Sequence, residues 1–98
     1  MNIAATILEQ LGGRRFLAMT GASCLAAYGD ALSFKLPGRF ALRGINFVKI
    51  RLNGMDLYDL QFGQIRGKTF QVVEEREDLG WEELQPVFTE VTGLDTHL

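Results

Sequence analysis

The chain reads as an α+β domain: an antiparallel sheet of four to five strands with an N-terminal and a C-terminal helix packed on one face. Three observations predict it. Apolar residues recur at helical spacing near both ends of the chain, they alternate at period two through the middle, and the alternating runs are joined by short turns rich in Gly, Asn and Asp. Ninety-eight residues, 47% hydrophobic and 22% charged, suit a single domain over residues 1–98 with room for one core.

Ile3, Ile7 and Leu11 share a helical stripe that Leu8 widens, and Gly12-Gly13 stand where a left-handed residue commonly ends a helix. The first helix is therefore expected over about residues 2–11, followed by a short helical turn from Arg14 to Met19 closed by Thr20-Gly21. Ser23 to Tyr28 and Ala31 to Leu36 are strand-like runs separated by Gly29-Asp30, which predicts a hairpin with Leu32, Phe34 and Leu36 on one face. After Pro37-Gly38 and a loop carrying Arg39 and Arg43, Ile45 to Leu52 and Leu57 to Ile65 form the clearest alternating pair. Keeping Val48, Ile50 and Leu52 on the same face as Tyr58, Leu60 and Phe62 requires a three- or five-residue loop around Asn53-Gly54. A further strand, about Thr69 to Glu74, turns back through Arg66-Gly67-Lys68. Trp81, Leu84, Phe88 and Val91 make the stripe of a last helix ending at Thr92-Gly93, and Pro86 requires that helix either to start late, with the proline near its first turn, or to kink there.

Composition excludes several classes. No run of 18 apolar residues is present to span a membrane. No basic segment precedes an apolar run at the N-terminus, where Glu9 interrupts Ile3 to Leu8, so the expected location is the cytoplasm. A single cysteine, Cys24, and a single histidine, His97, cannot assemble a zinc site or an internal disulfide, and neither a metal nor a cofactor is expected. Cys24 is read as a small hydrophobe within a strand. The net charge of −2 hides an asymmetry: residues 1–70 carry nine Lys/Arg against four Asp/Glu, and residues 71–98 carry one against eight.

Catalytic motifs fare poorly. Gly63 to Thr69 has the Gly-Lys-Thr of a phosphate-binding loop, but with three residues between the glycines instead of four and a strand rather than a helix after it, so it reads as a hairpin turn. Asp56 and Asp59 could form a carboxylate pair. The simpler account sets Asp59 across from Lys49 or Arg51 in an ion pair and Asp56 on the amides of the turn. No serine or cysteine has a plausible general base, and the chain is read as a non-enzyme. Phe47, Lys49 and Arg51 share the face opposite the core, with Lys35, Arg66 and Lys68 placed to join them, in the pattern of a stacking platform for single-stranded nucleic acid. Asp59 and Gln61 dilute that face, and a solvated sheet face is the plainer account. Glu74, Glu75, Glu77, Asp78, Glu82 and Glu83 form an acidic stretch, read as a solvated loop.

Met19-Thr20-Gly21-Ala22, Leu32-Ser33-Phe34, the run Leu52 to Asp59 (LNGMDLYD), Arg66-Gly67 and the run Phe88 to Thr96 (FTEVTGLDT) resemble a family of small proteins carried by tailed phages, prophages and other bacterial mobile elements. The resemblance covers almost the whole chain and implies a phage or prophage origin without naming a reaction. Where that family has Lys-Asn-Phe after Ala22, this chain has Ser23-Cys24-Leu25, so any contact made by that lysine is lost here. Among the recurring residues, Thr20, Asn53, Asp56, Asp59, Arg66, Thr92 and Thr96 are not explained by packing alone, and turn or cap roles account for several; Gly21, Gly67 and Gly93 are read as positions of positive φ.

The expectation that follows is a binding protein of a phage or mobile element that engages a host protein, as an inhibitor of a defence system such as CRISPR would, through the charged sheet face or the acidic C-terminal third. The alternatives are a nucleic-acid-binding protein, or a sponge for a small nucleotide signal whose pockets lie between subunits of a homo-oligomer. The candidate binding residues are Phe47, Lys49, Arg51, Asp56, Asp59, Arg66 and Lys68. No membrane partner is expected.

Overall fold

The computed structural model describes residues 2–37 and 41–96; Arg39 and His97, noted above, lie outside the described residues. Two short helices, α1 (Ile3–Leu11) and α2 (Arg14–Thr20), precede five strands: β1 (Ser23–Tyr28), β2 (Ala31–Lys35), β3 (Phe47–Leu52), β4 (Tyr58–Arg66) and β5 (Thr69–Leu79). A 3-10 turn, Leu42–Gly44, leads into β3, and a second, Trp81–Glu83, leads into the last helix, α3 (Leu84–Thr92). The strands form one antiparallel sheet in the order β1-β2-β3-β4-β5, so each strand pairs with its neighbours in sequence. No described helix is long and apolar enough to cross a membrane.

Turn chemistry sets the registers. Gly29-Asp30 joins β1 to β2 with Tyr28 opposite Ala31, and Gly67-Lys68 joins β4 to β5 with Arg66 opposite Thr69. In both two-residue turns the first residue is glycine at positive φ, +54° and +59°, where a side chain would be strained. The β3–β4 loop takes the five-residue option, with Leu52 opposite Tyr58, Ile50 opposite Leu60 and Val48 opposite Phe62. That register holds both apolar sets on the helix-covered face.

One apolar core fills the space between that face and the helices. Ile7 and Leu11 from α1, Phe16 from α2 and Leu84, Phe88 and Val91 from α3 meet Leu32, Phe34, Val48, Ile50, Leu60 and Phe62 from the sheet. Four fully buried phenylalanines form its centre: Phe16 lies edge-on to Phe34 and to Phe88 at centroid distances of 5.3 and 5.2 Å, and Phe88 also contacts Phe34 and Phe62.

Helices α2 and α3 end by the same device. Thr20 Oγ1 donates to the Phe16 carbonyl and accepts from the Ala22 amide, while Thr92 Oγ1 donates to the Phe88 carbonyl at 2.7 Å and accepts from the Leu94 amide at 3.2 Å. Each threonine is followed by a left-handed glycine, Gly21 or Gly93, with φ of +72° and +77°. A β-branched hydroxyl residue thus ends the helix and holds the second amide beyond it, while the glycine amide bonds to a carbonyl of the last turn. Because Thr92 is fully buried, Thr92→Val leaves the Leu94 amide without its acceptor at unchanged shape. We expect a loss of about 1–3 kcal/mol, read as a lower urea midpoint at an unchanged slope.

The C-terminal third departs from the sequence reading in two places. The acidic stretch is not a loop: β5 continues through it to Leu79, accommodated by irregularities opposite the Tyr58/Leu60 and Phe62/Gly63 steps. On the helix side Arg76 donates to Glu74 at 2.8 Å and to Glu90 of α3 at 3.1 Å, and Arg43 donates to Glu74 at 3.1 Å. The bonds from Arg76 and then Arg43 hold the Glu74 carboxyl below its ordinary pKa. Trp81 is not part of the helical stripe. It lies in the 3-10 turn and is 59% exposed, since α3 starts only at Leu84, late enough to place Pro86 in its first turn.

Candidate functional site

Alternation along the strands divides the sheet into a covered face and an open one. On the open face, Phe47, Lys49 and Arg51 of β3 stand opposite Gly63, Gln61 and Asp59 of β4, and opposite Lys35, Ser33 and Ala31 of β2. β5 adds Phe70, Val72 and Glu75 beside Ile65, Gly63 and Gln61. The three residues of β3 therefore do share the face opposite the core.

Half of this face is aromatic. Phe47 and Phe70 meet edge to face at a centroid distance of 5.6 Å. With Tyr28, Lys49, Gln61, Ile65 and the turn Gly67–Thr69 they line a groove of about 340 Å³. Gly63 makes the pairing possible: a Cβ there would sit 2.5 Å from the Phe70 ring, so only glycine lets that ring lie down on the sheet beside Phe47. Tyr28 is 53% exposed and lies over Ser33, whose hydroxyl donates to the tyrosine oxygen at 3.3 Å. The Lys49 ammonium stands 5.5 Å from the centre of the Tyr28 ring, within cation–π range. Among the described residues, Lys49 and Lys68 are the charged residues of the lining, and none of the lining residues is a carboxylate.

The other half is charged and mixed. A depression of about 190 Å³ is bounded by Lys49, Arg51, Asp59, Gln61, Glu75 and Glu77. Arg51 and Asp59 are cross-strand partners, as the alternation predicts, but the ion pair recorded for Arg51 is with Asp30, at 3.5 Å. Asp59 instead accepts from the Asn53 side-chain amide at 3.1 Å and from the Asp78 backbone amide at 3.1 Å. Short donors within its own hairpin and on β5 reach that carboxylate in place of the cross-strand guanidinium.

The β3–β4 loop is held by an asparagine, not by Asp56. Asn53 Oδ1 accepts from the amides of Met55 and Leu57, and Asn53 Nδ2 donates to Asp59 and, at 2.9 Å, to Asp78. Asp56 is exposed in the loop at φ +59°, and its amide donates to the Asn53 carbonyl. Asp56 and Asp59 thus belong to the architecture of a turn. Arg66 stands at the end of β4, one residue beyond the groove-lining Ile65, so alternation sends it to the opposite face from Lys49. Of the seven sequence candidates, Phe47, Lys49 and Lys68 come together in the groove, Arg51 borders the mixed depression, and Asp56, Asp59 and Arg66 lie apart from the groove.

Two groove residues, Tyr28 and Phe70, were not foreseen. The signal for Phe70 was present: a two-residue turn after Arg66 puts Phe70 beside Ile65, and a glycine inside a strand marks the place where a ring can cross it. Tyr28 follows from the Gly29-Asp30 turn, which sets it opposite Ala31, a neighbour of Arg51 on the open face. Cys24 does lie in β1, but it is exposed and at φ +54°, at the irregularity between Ser23 and Ala26, so it does not pack as a small hydrophobe.

Among the described residues no group of three or more His, Cys, Asp or Glu is placed to hold a metal ion. Comparison of the chain with protein-family models, with curated proteins and with solved structures gives no match. The chemistry of the face itself is that of ring surfaces edged by ammonium groups, which suits a ligand with flat apolar parts and negative charge.

Proposed function

We propose that this chain is a non-catalytic binding protein of phage or mobile-element origin that holds single-stranded nucleic acid on the open face of its sheet. The observation that carries the reading is the groove in which Phe47 and Phe70 meet beside Tyr28, with Lys49 and Lys68 in its lining and no carboxylate among the described residues that line it. Unpaired bases stack on aromatic rings with little regard to sequence, and lysines beside the rings neutralise the phosphates between them. A duplex keeps its base faces covered, so the rings select single strands. The carboxylates Asp59, Glu75 and Glu77 confine the strand to the aromatic half, between Lys49 at one end and Lys68 at the other, with Lys35 beside Phe47. The sequence resemblance supports the phage origin, which sets the protein in the cytoplasm of a bacterial host.

Fluorescence anisotropy with a labelled oligothymidylate tests this. Three lysines at phosphates give a slope of log affinity against log salt of about −2, from roughly 0.7 per contact on single strands. Phe47→Ala or Tyr28→Ala weakens binding by about 1–3 kcal/mol, and Arg66→Ala, on the other face, leaves it unchanged. A folded wild-type protein that binds no oligonucleotide at low salt, or a Phe47→Ala variant that binds as well as wild type, overturns the reading.

A further inference from the structure

The two edges of the sheet differ. β1 is six residues long and broken by an irregularity at Cys24, whereas β5 runs for 11 residues and ends the strand order on the other side. Among the described residues no strand lies beside the outward N–H and C=O groups of β5. Natural edges are commonly short, bulged or charged throughout, because an open edge recruits another strand. β5 has charges and two irregularities in its C-terminal part, but its first part carries Phe70 and Val72, 45% and 39% exposed, on the open face. Farther along, the same face carries Glu75 and Glu77, which have no ion pair among the described residues, while Glu74 and Arg76 are engaged on the helix side. Read along β5, the open face is apolar and then acidic.

We propose that the outer edge of β5 is a docking site for an extended segment of a partner protein, added as a sixth, antiparallel strand. Main-chain hydrogen bonds supply affinity and alternate side chains supply specificity in such an addition. The complementary segment has basic residues at alternate positions in its N-terminal half, facing Glu77 and Glu75, and apolar residues in its C-terminal half, facing Val72 and Phe70. Charge complementarity selects the polarity as well as the partner, since the reversed order sets lysines beside the apolar pair. A second copy of this chain does not fit in this way, because β5 against itself brings acidic residues together or sets them against Phe70 and Val72. The site shares Phe70 with the groove, but it rests on the outer edge of β5, whereas the nucleic-acid reading rests on Tyr28, Phe47 and Lys49 as well.

The test is a labelled peptide, Lys-Thr-Lys-Thr-Val-Thr-Val, titrated into the full chain and followed by anisotropy and by amide hydrogen exchange. The expected result is one-to-one binding, with slowed exchange at outward-facing amides of β5. Reversing the peptide order, replacing its lysines by glutamate, or introducing Glu75→Lys with Glu77→Lys should each weaken binding at least about tenfold, or 1.4 kcal/mol. Tyr28→Ala, which alters the groove from β1 at the opposite edge of the sheet, leaves it unchanged. No binding to the folded chain at about 1 mM peptide, where even a weak −4 kcal/mol contact would register, overturns the proposal. So does binding that survives the two charge reversals, or that disappears with Tyr28→Ala, which would place the peptide in the groove.

Discussion

Phe88→Ala is expected to lower the unfolding free energy by about 3–5 kcal/mol, the usual cost of emptying a fully buried aromatic site. The ring is the central contact of α3 with the core, flanked by Leu84 and Val91: it touches Phe16 from α2, Phe34 from β2 and Phe62 from β4. Those three partners belong to different elements held by their own hydrogen bonds, so none can move far enough to refill the space. A domain of this size has only about 5–15 kcal/mol in total, so the variant should sit near the threshold of folding. Urea denaturation measures it directly. Phe88→Leu, which keeps most of the volume, should lose markedly less; equal losses in the two variants would show that the ring edges, and not the volume, matter. A Phe88→Ala variant within 1 kcal/mol of wild type, below the range for a packed core site, would mean that α3 is not packed as described.

The second large effect is expected at a polar residue. Asn53→Ala removes an acceptor for two loop amides and a donor shared by Asp59 and Asp78, whose carboxylates then face one another without the amide between them. Bonds to charged groups contribute about 1.5–3 kcal/mol each where they are shielded, and this cluster is partly exposed, so the expected loss is about 2–3 kcal/mol. Asn53→Asp separates hydrogen bonding from charge. A third carboxylate repelled by the other two has its folded-state pKa raised above its unfolded value. The destabilisation is therefore greatest at neutral pH and shrinks as pH falls through that raised pKa, opposite to the usual acid response of a native carboxylate. Chemical denaturation from pH 7 to pH 4 distinguishes the cases, because Asn53→Asp, with three carboxylates in contact, recovers more of its loss than Asn53→Ala, which leaves two facing one another. A Asn53→Asp variant with the pH response of wild type would place Asp59 and Asp78 too far away to matter.

The fold was legible where period and turn chemistry agreed. Val48 to Leu52 and Tyr58 to Phe62 alternate so regularly that only two loop lengths were consistent, and one of them is found. The helix ends at Gly12, Gly21 and Gly93 could be read because glycine at positive φ leaves a mark in sequence. The length of β5 was not legible, since Glu74, Glu75, Glu77 and Asp78 look like a solvated loop when nothing indicates that a neighbouring strand pairs them. Part of the site was legible in the same way. Alternation alone placed Phe47 and Lys49 on the open face, but their ring partners Tyr28 and Phe70 come from other strands, and their meeting depends on two hairpin registers at once. The Arg51–Asp59 ion pair failed for a related reason: register brings the two residues opposite each other, but competition among Asn53, Asp30 and the Asp78 amide decides who bonds to whom.

The strand order has a consequence for synthesis on the ribosome. Because every strand pairs with the one made just before it, the sheet can assemble hairpin by hairpin as the chain emerges, and such local closures are quick. The helical layer cannot do so. α1 and α2 are made before the sheet, yet their apolar faces and those of Phe34 and Phe62 remain uncapped until α3 delivers Phe88 after all five strands. Between completion of the strands and the arrival of α3 the sheet has a partly open greasy side, and that is the interval in which a nascent-chain chaperone would hold it.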